Sequence, residues 1–367
     1  MKTISVPHIN NNGVWFRSVS NRGSVAWIVG VIITGFYCLL YWLPESLEGI
    51  ISLLDGLSHA MRNRPSDQWF LYSFMYTFAV LGFGIVFIRK YKNNKYHFYR
   101  TLVLMTVQLI LAFLIPAFLV KMQAPEFYFS YFWPLKKEYL FPSDLMQLWS
   151  QGQLGMFMVF WAVMMALIAT PILTYYFGKR WYCSWVCGCG ALAETAGDSF
   201  RHLSNKSVTA WRWERRIIYS ILLLVVGLTV LLWVNSYQQG ALLGAVSQSY
   251  AKWYGFFIGS LFSGVIGTGF YPILGSRVWC RFGCPMAAIL GIQQRIFSRF
   301  RITTNGGQCI SCGNCSTYCE MGIDVRAYAQ RGENIVRASC VGCGVCSSVC
   351  PRGVLKLENG KNPRLKL

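Results

Sequence analysis

Eight cysteines near the carboxyl end of the chain have the spacing of cluster ligands. They form two runs with identical gaps: Cys309, Cys312, Cys315 and Cys319, then Cys340, Cys343, Cys346 and Cys350. Such gaps let a short loop wrap three thiolates around one 4Fe-4S cube, while the fourth cysteine of each run reaches the other cube. The spacing therefore predicts two 4Fe-4S clusters, held by Cys309, Cys312, Cys315 and Cys350, and by Cys340, Cys343, Cys346 and Cys319.

Two features qualify this prediction. A pair of structural zinc sites is the alternative, but zinc sites seldom need two four-cysteine runs with the same gaps. Pro351 follows Cys350, whereas Glu320 follows Cys319 where a proline is usual. Glutamate in place of proline puts the conformation of the main-chain turn at Glu320 in question, but not the ligation by Cys319.

A second group of cysteines is repeated along the chain at a constant offset of 97 residues. Gly178, Arg180, Cys183 and Cys187 align with Gly275, Arg277, Cys280 and Cys284. On a helix, positions i and i+4 share a face, so each copy would present two thiols together. Two facing copies would supply soft ligands for another iron-sulfur cluster, for copper or zinc, or a redox-active dithiol.

The repeat leaves several points open. Simple packing of the cysteines as small apolar residues is the alternative to ligation. The first copy has Gly188 where the second has Pro285, and it adds Cys189, a candidate substitute ligand. Arg180 and Arg277 are either anchors at the inner face or groups that stabilise an anionic site. We expect the repeat cysteines to converge at the inner membrane surface.

The elements that position these cysteines are membrane helices. Hydrophobic residues make up 54% of the 367 residues and charged residues only 13%, outside the range of soluble globular proteins. Apolar runs long enough to cross about 30 Å of hydrocarbon occur six times. They run roughly from Val25 to Leu43, Trp69 to Ile88, Thr101 to Val120, Leu154 to Phe177, Ile217 to Val234 and Tyr254 to Ile273.

The distribution of basic residues predicts the orientation. Of 34 Lys and Arg residues, 28 lie in the segments on one side of the six spans and 6 on the other. By the positive-inside rule both termini are expected to be cytoplasmic, in the inner membrane of a bacterium. The net charge of +20 therefore reflects basic residues concentrated on one side of the membrane and does not indicate nucleic-acid binding.

The predicted fold is an all-α integral membrane protein with six transmembrane helices and a small carboxyl-terminal α+β domain like a two-cluster ferredoxin. Residues 1–24 form a cytoplasmic segment, 25–300 the membrane domain and 301–367 the dicluster domain. No CxxCH haem motif and no nucleotide fingerprint occur. The histidines, His8, His59, His97 and His202, lie outside the predicted spans and are expected to be solvated.

These motifs together resemble those of the membrane polyferredoxin family, which includes the NapH, NosR and CcoG proteins. CRFGCP at residues 280–285 matches the CxxxCP motif of that family, and CSWVCGC at 183–189 departs from it. The resemblance runs from about the fourth span to the carboxyl end and is closest in architecture to the NapH type. It implies a membrane-bound electron-transfer subunit of an oxidoreductase complex.

The expected function is electron transfer between the clusters and either the quinone pool or a membrane or periplasmic redox partner. One alternative is an assembly factor that reduces copper with the paired thiols. The other is a redox sensor. The sequence leaves open the direction of electron flow, the terminal donor or acceptor, the partner proteins, the oligomeric state and the metal or cluster at the repeat.

Overall fold

The computed structural model describes residues 23–136, 140–244 and 246–360. In this part of the chain five helices are long and apolar enough to cross a membrane: Ser24–Trp42, Gln68–Lys90, Lys95–Lys121, Gly152–Phe177 and Val208–Tyr237. We call them the first to fifth spans. Large apolar side chains on them face outward, as lipid contact requires; Phe78 is 72% exposed and Leu223 is 77% exposed. The protein is a helical membrane protein.

The sixth predicted span differs from the others. A helix at Val246–Tyr254 continues into wide π-type turns at Gly255–Ile266, and short helices follow at Gly267–Gly269 and Tyr271–Leu274. Glycines here let other segments approach closely: a Cβ atom on Gly264 would lie 3.1 Å from the Tyr37 ring of the first span. The count of six spanning helices is therefore not confirmed, because this segment is broken.

Short elements connect the spans. The helices Glu48–Ser52 and Asp55–Arg62 follow the first span, Pro142–Trp149 precedes the fourth, and Arg180–Cys183 and Gly188–Glu194 follow it. Tight helical turns at Ala196–Leu203 lead to the fifth span, and the helix Pro285–Ile296 leads to the tail. The tail holds the short helices Asn314–Thr317, Val325–Gln330 and Val345–Ser348.

The segment between the third and fourth spans folds back into the bundle. Trp161 donates a hydrogen bond to the Phe129 carbonyl (3.2 Å), and Trp133 donates one to the Thr229 hydroxyl (3.2 Å). Trp161 lies nine residues inside the fourth span and Thr229 eight residues inside the fifth. At 1.5 Å per residue, this loop therefore reaches about 12 Å below the helix ends. We call residues 124–136 the inserted loop.

Two antiparallel strands frame the tail. Strand β1 (Phe300–Thr304) pairs with β2 (Leu355–Asn359), with Phe300 opposite Asn359 and Thr304 opposite Leu355. The cysteine runs lie between these strands in sequence. The sheet therefore brings the start and the end of the tail together and closes it into a small α+β unit.

Candidate functional site

The two cysteine runs of the tail fold in the same way. In the first run Ser311 and Gly313 have φ values of 57° and 81°, and in the second Gly342 and Gly344 have 65° and 83°. Each loop therefore turns through the left-handed region at equivalent positions, a conformation that favours glycine. These turns bend each loop around its first three cysteines.

The predicted ligands of the first cluster lie together. Cys309, Cys312, Cys315 and Cys350 all line one small cavity. The Cys315 thiol interacts electrostatically with the other three, and the Val354 amide points at the Cys350 sulfur at 3.4 Å. Four convergent thiols with main-chain N–H groups directed at sulfur fit the donor set of a 4Fe-4S cube.

The predicted ligands of the second cluster converge as well. The Cys346 thiol interacts with those of Cys343, Cys340 and Cys319. The Ile323 amide points at the Cys319 sulfur at 3.4 Å. The fourth cysteine of the first run thus lies with the first three of the second run, the crossed arrangement that the spacing predicts.

The second tail loop is docked on the membrane domain through its main chain. The carbonyls of residues 340–343 accept hydrogen bonds from Gln294, Ser184, Tyr96 and Arg100 at 2.8–3.1 Å. Since a cluster loop is rigid only when its backbone is held, these contacts fix the second cluster site against the membrane domain.

The four repeat cysteines are buried together. Cys183, Cys187, Cys280 and Cys284 are each 4–6% exposed, and their thiols interact electrostatically. Cys189 lies beside them. Its thiol hydrogen-bonds to Cys187. This hydrogen bond and those from the amides of Gly190 and Cys189 lower the pKa of Cys187 to about 7, although burial raises it. Five thiols therefore surround this position, which we call the repeat site.

The two copies of the repeat share a main-chain geometry. Gly178 and Gly275 end the preceding helices with φ values of 67° and 96°. Cys187 and Cys284 each precede a helix in extended conformation, and the Cys284 sulfur accepts from the Ala287 amide at 3.4 Å. The prediction that the two thiols of each copy lie at positions i and i+4 of one helix is wrong. In the second copy, Pro285 restricts Cys284 to extended backbone. The thiols of each pair meet across a turn instead.

The repeat site lies deeper than the sequence predicts. Tyr76 donates to the Gly188 carbonyl (2.9 Å), and Gln108 donates to the Val186 carbonyl (2.7 Å). Tyr76 is 14 residues from the Lys90 end of its span and Gln108 is 13 from the Lys95 end, about 20 Å in each case. The inserted loop covers the site from the other side, where Tyr182 donates to the Ser130 carbonyl (2.9 Å). The expected position at the inner membrane surface is therefore wrong.

A buried cluster of charged side chains separates the repeat site from the second tail loop. Its members, each at most 3% exposed, are Arg100, Arg201, Arg277, Glu194 and Glu320. Glu194 pairs with Arg100 (2.9 Å), Arg201 (2.5 Å) and Arg277 (2.7 Å). Glu320 pairs with Arg201 (2.8 Å) and Arg277 (3.2 Å). We call this set the arginine-glutamate cluster.

The arginine-glutamate cluster contacts sulfur at both ends. Arg277 Nη1 lies 3.7 Å from the Cys280 sulfur, and Arg201 Nη1 lies 3.8 Å from the Cys343 sulfur. Burial raises the pKa of Glu194, but Arg100, Arg201 and Arg277 outweigh it and hold that pKa below its ordinary range. Ionised, hydrogen-bonded arginines beside thiolates stabilise the reduced, more negative state of a cluster.

The carboxylates of Glu194 and Glu320 and the sulfur of Cys343 lie within 4.8 Å of one another. Each carboxylate is already ion-paired with arginine, and Cys343 belongs to the predicted second cluster set. The two carboxylates are therefore part of the arginine-glutamate cluster, Cys343 is in contact with it through Arg201, and the three groups need no separate metal ion.

Sequence reasoning missed most of this cluster. Two members gave a signal: Arg277, through the repeat, as a group that could stabilise an anionic site, and Glu320 in place of proline, which indicated a changed turn and not a buried charge. Arg277 is 1% exposed and not a surface anchor. Arg180, its counterpart in the repeat, instead lies over the Phe300 ring (4.4 Å) and donates to Asn359 (3.3 Å) of the tail. His97, expected to be solvated, is fully buried and hydrogen-bonds to Ser348 (2.6 Å).

Two family models match parts of the chain. Residues 157–207 and 244–303 match a 4Fe-4S binding domain, and these ranges contain all five thiols of the repeat site. Residues 308–355 match a 4Fe-4S dicluster domain, which covers both tail runs. The chain thus carries sequence similar to 4Fe-4S binding domains in both its membrane part and its tail.

Two curated relatives are similar to the chain. It is 27% identical over 171 residues to the putative electron transport protein YccM of Escherichia coli, covering 45% of this chain and 47% of YccM. It is 28% identical over 165 residues to the methylamine utilization ferredoxin-type protein MauN of Methylobacillus flagellatus, covering 42% of this chain and 54% of MauN. The matches thus span about half the length of each relative. No solved structure matches the chain.

Proposed function

We propose that this protein carries electrons across part of the membrane through three iron-sulfur clusters, two in the tail and one at the repeat site. The observation that supports this most directly is the connection through the arginine-glutamate cluster. One set of buried charges touches a repeat-site sulfur, Cys280, and a tail sulfur, Cys343. Such an arrangement suits two redox centres whose potentials the same protein groups adjust.

The membrane setting favours a lipid-soluble reaction partner. We infer that the clusters exchange electrons with a quinone or with a redox protein in or at the membrane, with the tail in the cytoplasm of a bacterium. The excess of basic residues on the tail side supports this orientation. The depth of the repeat site supports an electron path that extends from the cytoplasmic surface into the membrane.

Iron content tests the third cluster. Three 4Fe-4S clusters bring about twelve iron atoms per chain, and replacing Cys280 and Cys284 with serine should lower this to about eight. Cys38 lies in the first span, outside both groups of predicted ligands, so Cys38→Ser should leave the iron content unchanged. Equal iron in the double variant and the parent protein would contradict a cluster at the repeat site.

Quinone reactivity tests the partner. Stopped-flow absorbance should show rapid oxidation of the dithionite-reduced protein by a soluble naphthoquinone. Failure to react, together with fast reduction of Cu(II), would instead favour the copper-reducing alternative. The fifth thiol at the repeat site is the observation that favours this second candidate, since Cys189 hydrogen-bonds to Cys187 and could hold a soft metal ion with it.

A further inference from the structure

A cavity of about 420 Å³ opens beside the repeat site, a volume within the usual range for small-molecule sites. It lies where the start of the fifth span, the helix Pro285–Ile296 and tail residues 328–339 meet, and Cys280 forms part of its wall. A molecule bound there would therefore lie against a predicted ligand of the third cluster.

The wall carries an excess of positive charge. Five basic side chains line the cavity: Lys179, Arg215, Arg281, Arg295 and Arg337. Arg281 is paired with Glu214 at 2.7 Å. Among the described residues, the other four have no carboxylate within ion-pair distance. Uncompensated positive charge around a cavity favours an anionic occupant.

Two polar atoms of the wall residues are buried without a hydrogen-bond partner in the described part of the chain, Nη2 of Arg281 and Nε of Arg337. The Arg281 side chain is only 3% exposed. Because a buried donor without a partner costs free energy, these atoms are suited to an acceptor on a ligand.

The wall also contains aromatic side chains. Trp211 lines the cavity, and two guanidinium groups lie over its ring, those of Arg337 (4.4 Å) and Arg215 (4.7 Å). Tyr219 and Tyr328 line it too. Trp211, Arg215 and Tyr219 belong to the first turns of the fifth span, which places the cavity where that helix enters the lipid headgroups.

We propose that this cavity binds the headgroup of a quinone and favours its reduced, anionic form. The proposal rests on the proposed function, in which a quinone is the membrane partner. The aromatic side chains would contact the ring, the unpaired cations would bind the ring oxygens, and Cys280 would place the ring beside the repeat site. The lipid-facing start of the fifth span leaves room for an isoprenoid tail.

Binding to the oxidised, cluster-loaded full-length protein tests the site without depending on turnover. The probe is 2-hydroxy-1,4-naphthoquinone, which is an anion at neutral pH, measured by calorimetry. The parent protein should bind it more tightly than 2-methyl-1,4-naphthoquinone, which has the same ring system and no charge. Arg215→Gln and Arg337→Gln should each weaken binding of the anionic probe about tenfold, since each removes a charged donor.

Arg216 provides a matched control. It neighbours Arg215 and also lies over a tryptophan, Trp213 (5.7 Å), but it does not line the cavity. Arg216→Gln should therefore bind the probe like the parent. An unchanged cluster absorbance spectrum would show that each variant is folded and loaded.

Three results would overturn the proposal: parent-like affinity in both cavity variants, displacement of the probe by equimolar inorganic phosphate, or no binding of the probe to the parent protein. The second would reveal a simple anion site. Stopped-flow oxidation of the reduced parent by naphthoquinone separates this proposal from the proposed function. If oxidation is fast although the cavity variants bind normally, the quinone reacts elsewhere and only the cavity assignment fails.

Discussion

Glu320 shows how one residue changes the role of a position. The equivalent place after Cys350 holds Pro351, which can only shape the backbone, whereas Glu320 brings a carboxylate between Arg201 and Arg277. Both arginines are at most 1% exposed. Without the charge of Glu320, these two buried arginines keep Glu194 as a shared partner but lose part of their compensating negative charge, which is costly.

Glu320→Gln should therefore lower the free energy of unfolding by about 3 kcal/mol. Glu333→Gln is the matched control, since Glu333 pairs with Arg331 at 3.0 Å but both side chains are more than half exposed. The control should change stability by less than about 1 kcal/mol. Denaturant unfolding in detergent, followed by loss of cluster absorbance, measures both. Equal losses in the two variants would show that the buried cluster is not stabilised by Glu320.

Arg277 is the member of the arginine-glutamate cluster that touches the repeat site. Its Nη1 atom lies 3.7 Å from the Cys280 sulfur, and N–H groups directed at cluster sulfur raise the reduction potential. Arg277→Lys keeps the charge but shortens the donor. If the proposed third cluster occupies the repeat site, this variant should lower its potential by about 50 mV, the equivalent of one hydrogen bond.

Potentiometric titration followed by electron paramagnetic resonance measures this shift. Arg180→Lys is the control from the other copy of the repeat, because Arg180 contacts Phe300 and Asn359 of the tail. Arg180→Lys should not change the potential of the proposed third cluster. A shift of the same size in both variants would point to a general charge effect and against a specific contact with Cys280.

At the scale of elements, the two copies of the repeat contain the same kind of turn. Gly178 and Gly275 both have positive φ, and both positions are crowded: a Cβ on Gly275 would lie 2.9 Å from the Ser204 nitrogen, and one on Gly178 would lie 2.8 Å from Phe300. The two glycines therefore combine conformational freedom with the close approach of another segment, which no other residue type provides.

Gly275→Ala should destabilise the protein by about 2 kcal/mol or more, since it adds strain at positive φ to a main-chain clash. Gly227→Ala is the comparison, because Gly227 lies inside the fifth span and a methyl group added there would have no other atom within 4 Å in the described part of the chain. That change should be neutral or slightly stabilising. Thermal unfolding of the two variants in detergent gives the difference. A Gly275→Ala protein as stable as the parent would show that the turn tolerates a side chain.

The sequence predicted five of the spans well because hydropathy over about twenty residues is a local property. The sixth, Tyr254–Ile273, is not confirmed, because the segment changes to wide π-type turns and short helices where glycines allow close packing against Tyr37. The spacing of the tail cysteines grouped the same residues that the structure brings together. The depth of the repeat site and the pairing of Glu194 with three arginines depend on contacts between distant segments, for which no local pattern exists.

At the scale of the whole molecule, the cysteine sites and the inserted loop lie in series. The tail runs are held at the ends of the second and third spans, where Asn94 donates to Ser348 (2.8 Å). The repeat site lies about 20 Å further along these helices, and the inserted loop descends to it from the opposite end. The repeat site therefore lies between the tail and the inserted loop along the bundle.

This arrangement predicts opposite accessibility for the two ends of the bundle. Met122, at the end of the third span beside the inserted loop, is 63% exposed, and the Arg331 side chain in the tail is 55% exposed. In a Cys38→Ser background, Met122→Cys should react with a membrane-impermeant maleimide added to spheroplasts, because the basic segments hold the tail inside. Arg331→Cys should react only in inverted vesicles. Labelling of Arg331→Cys in intact spheroplasts would reverse the orientation and place the tail clusters on the side opposite to the cytoplasm.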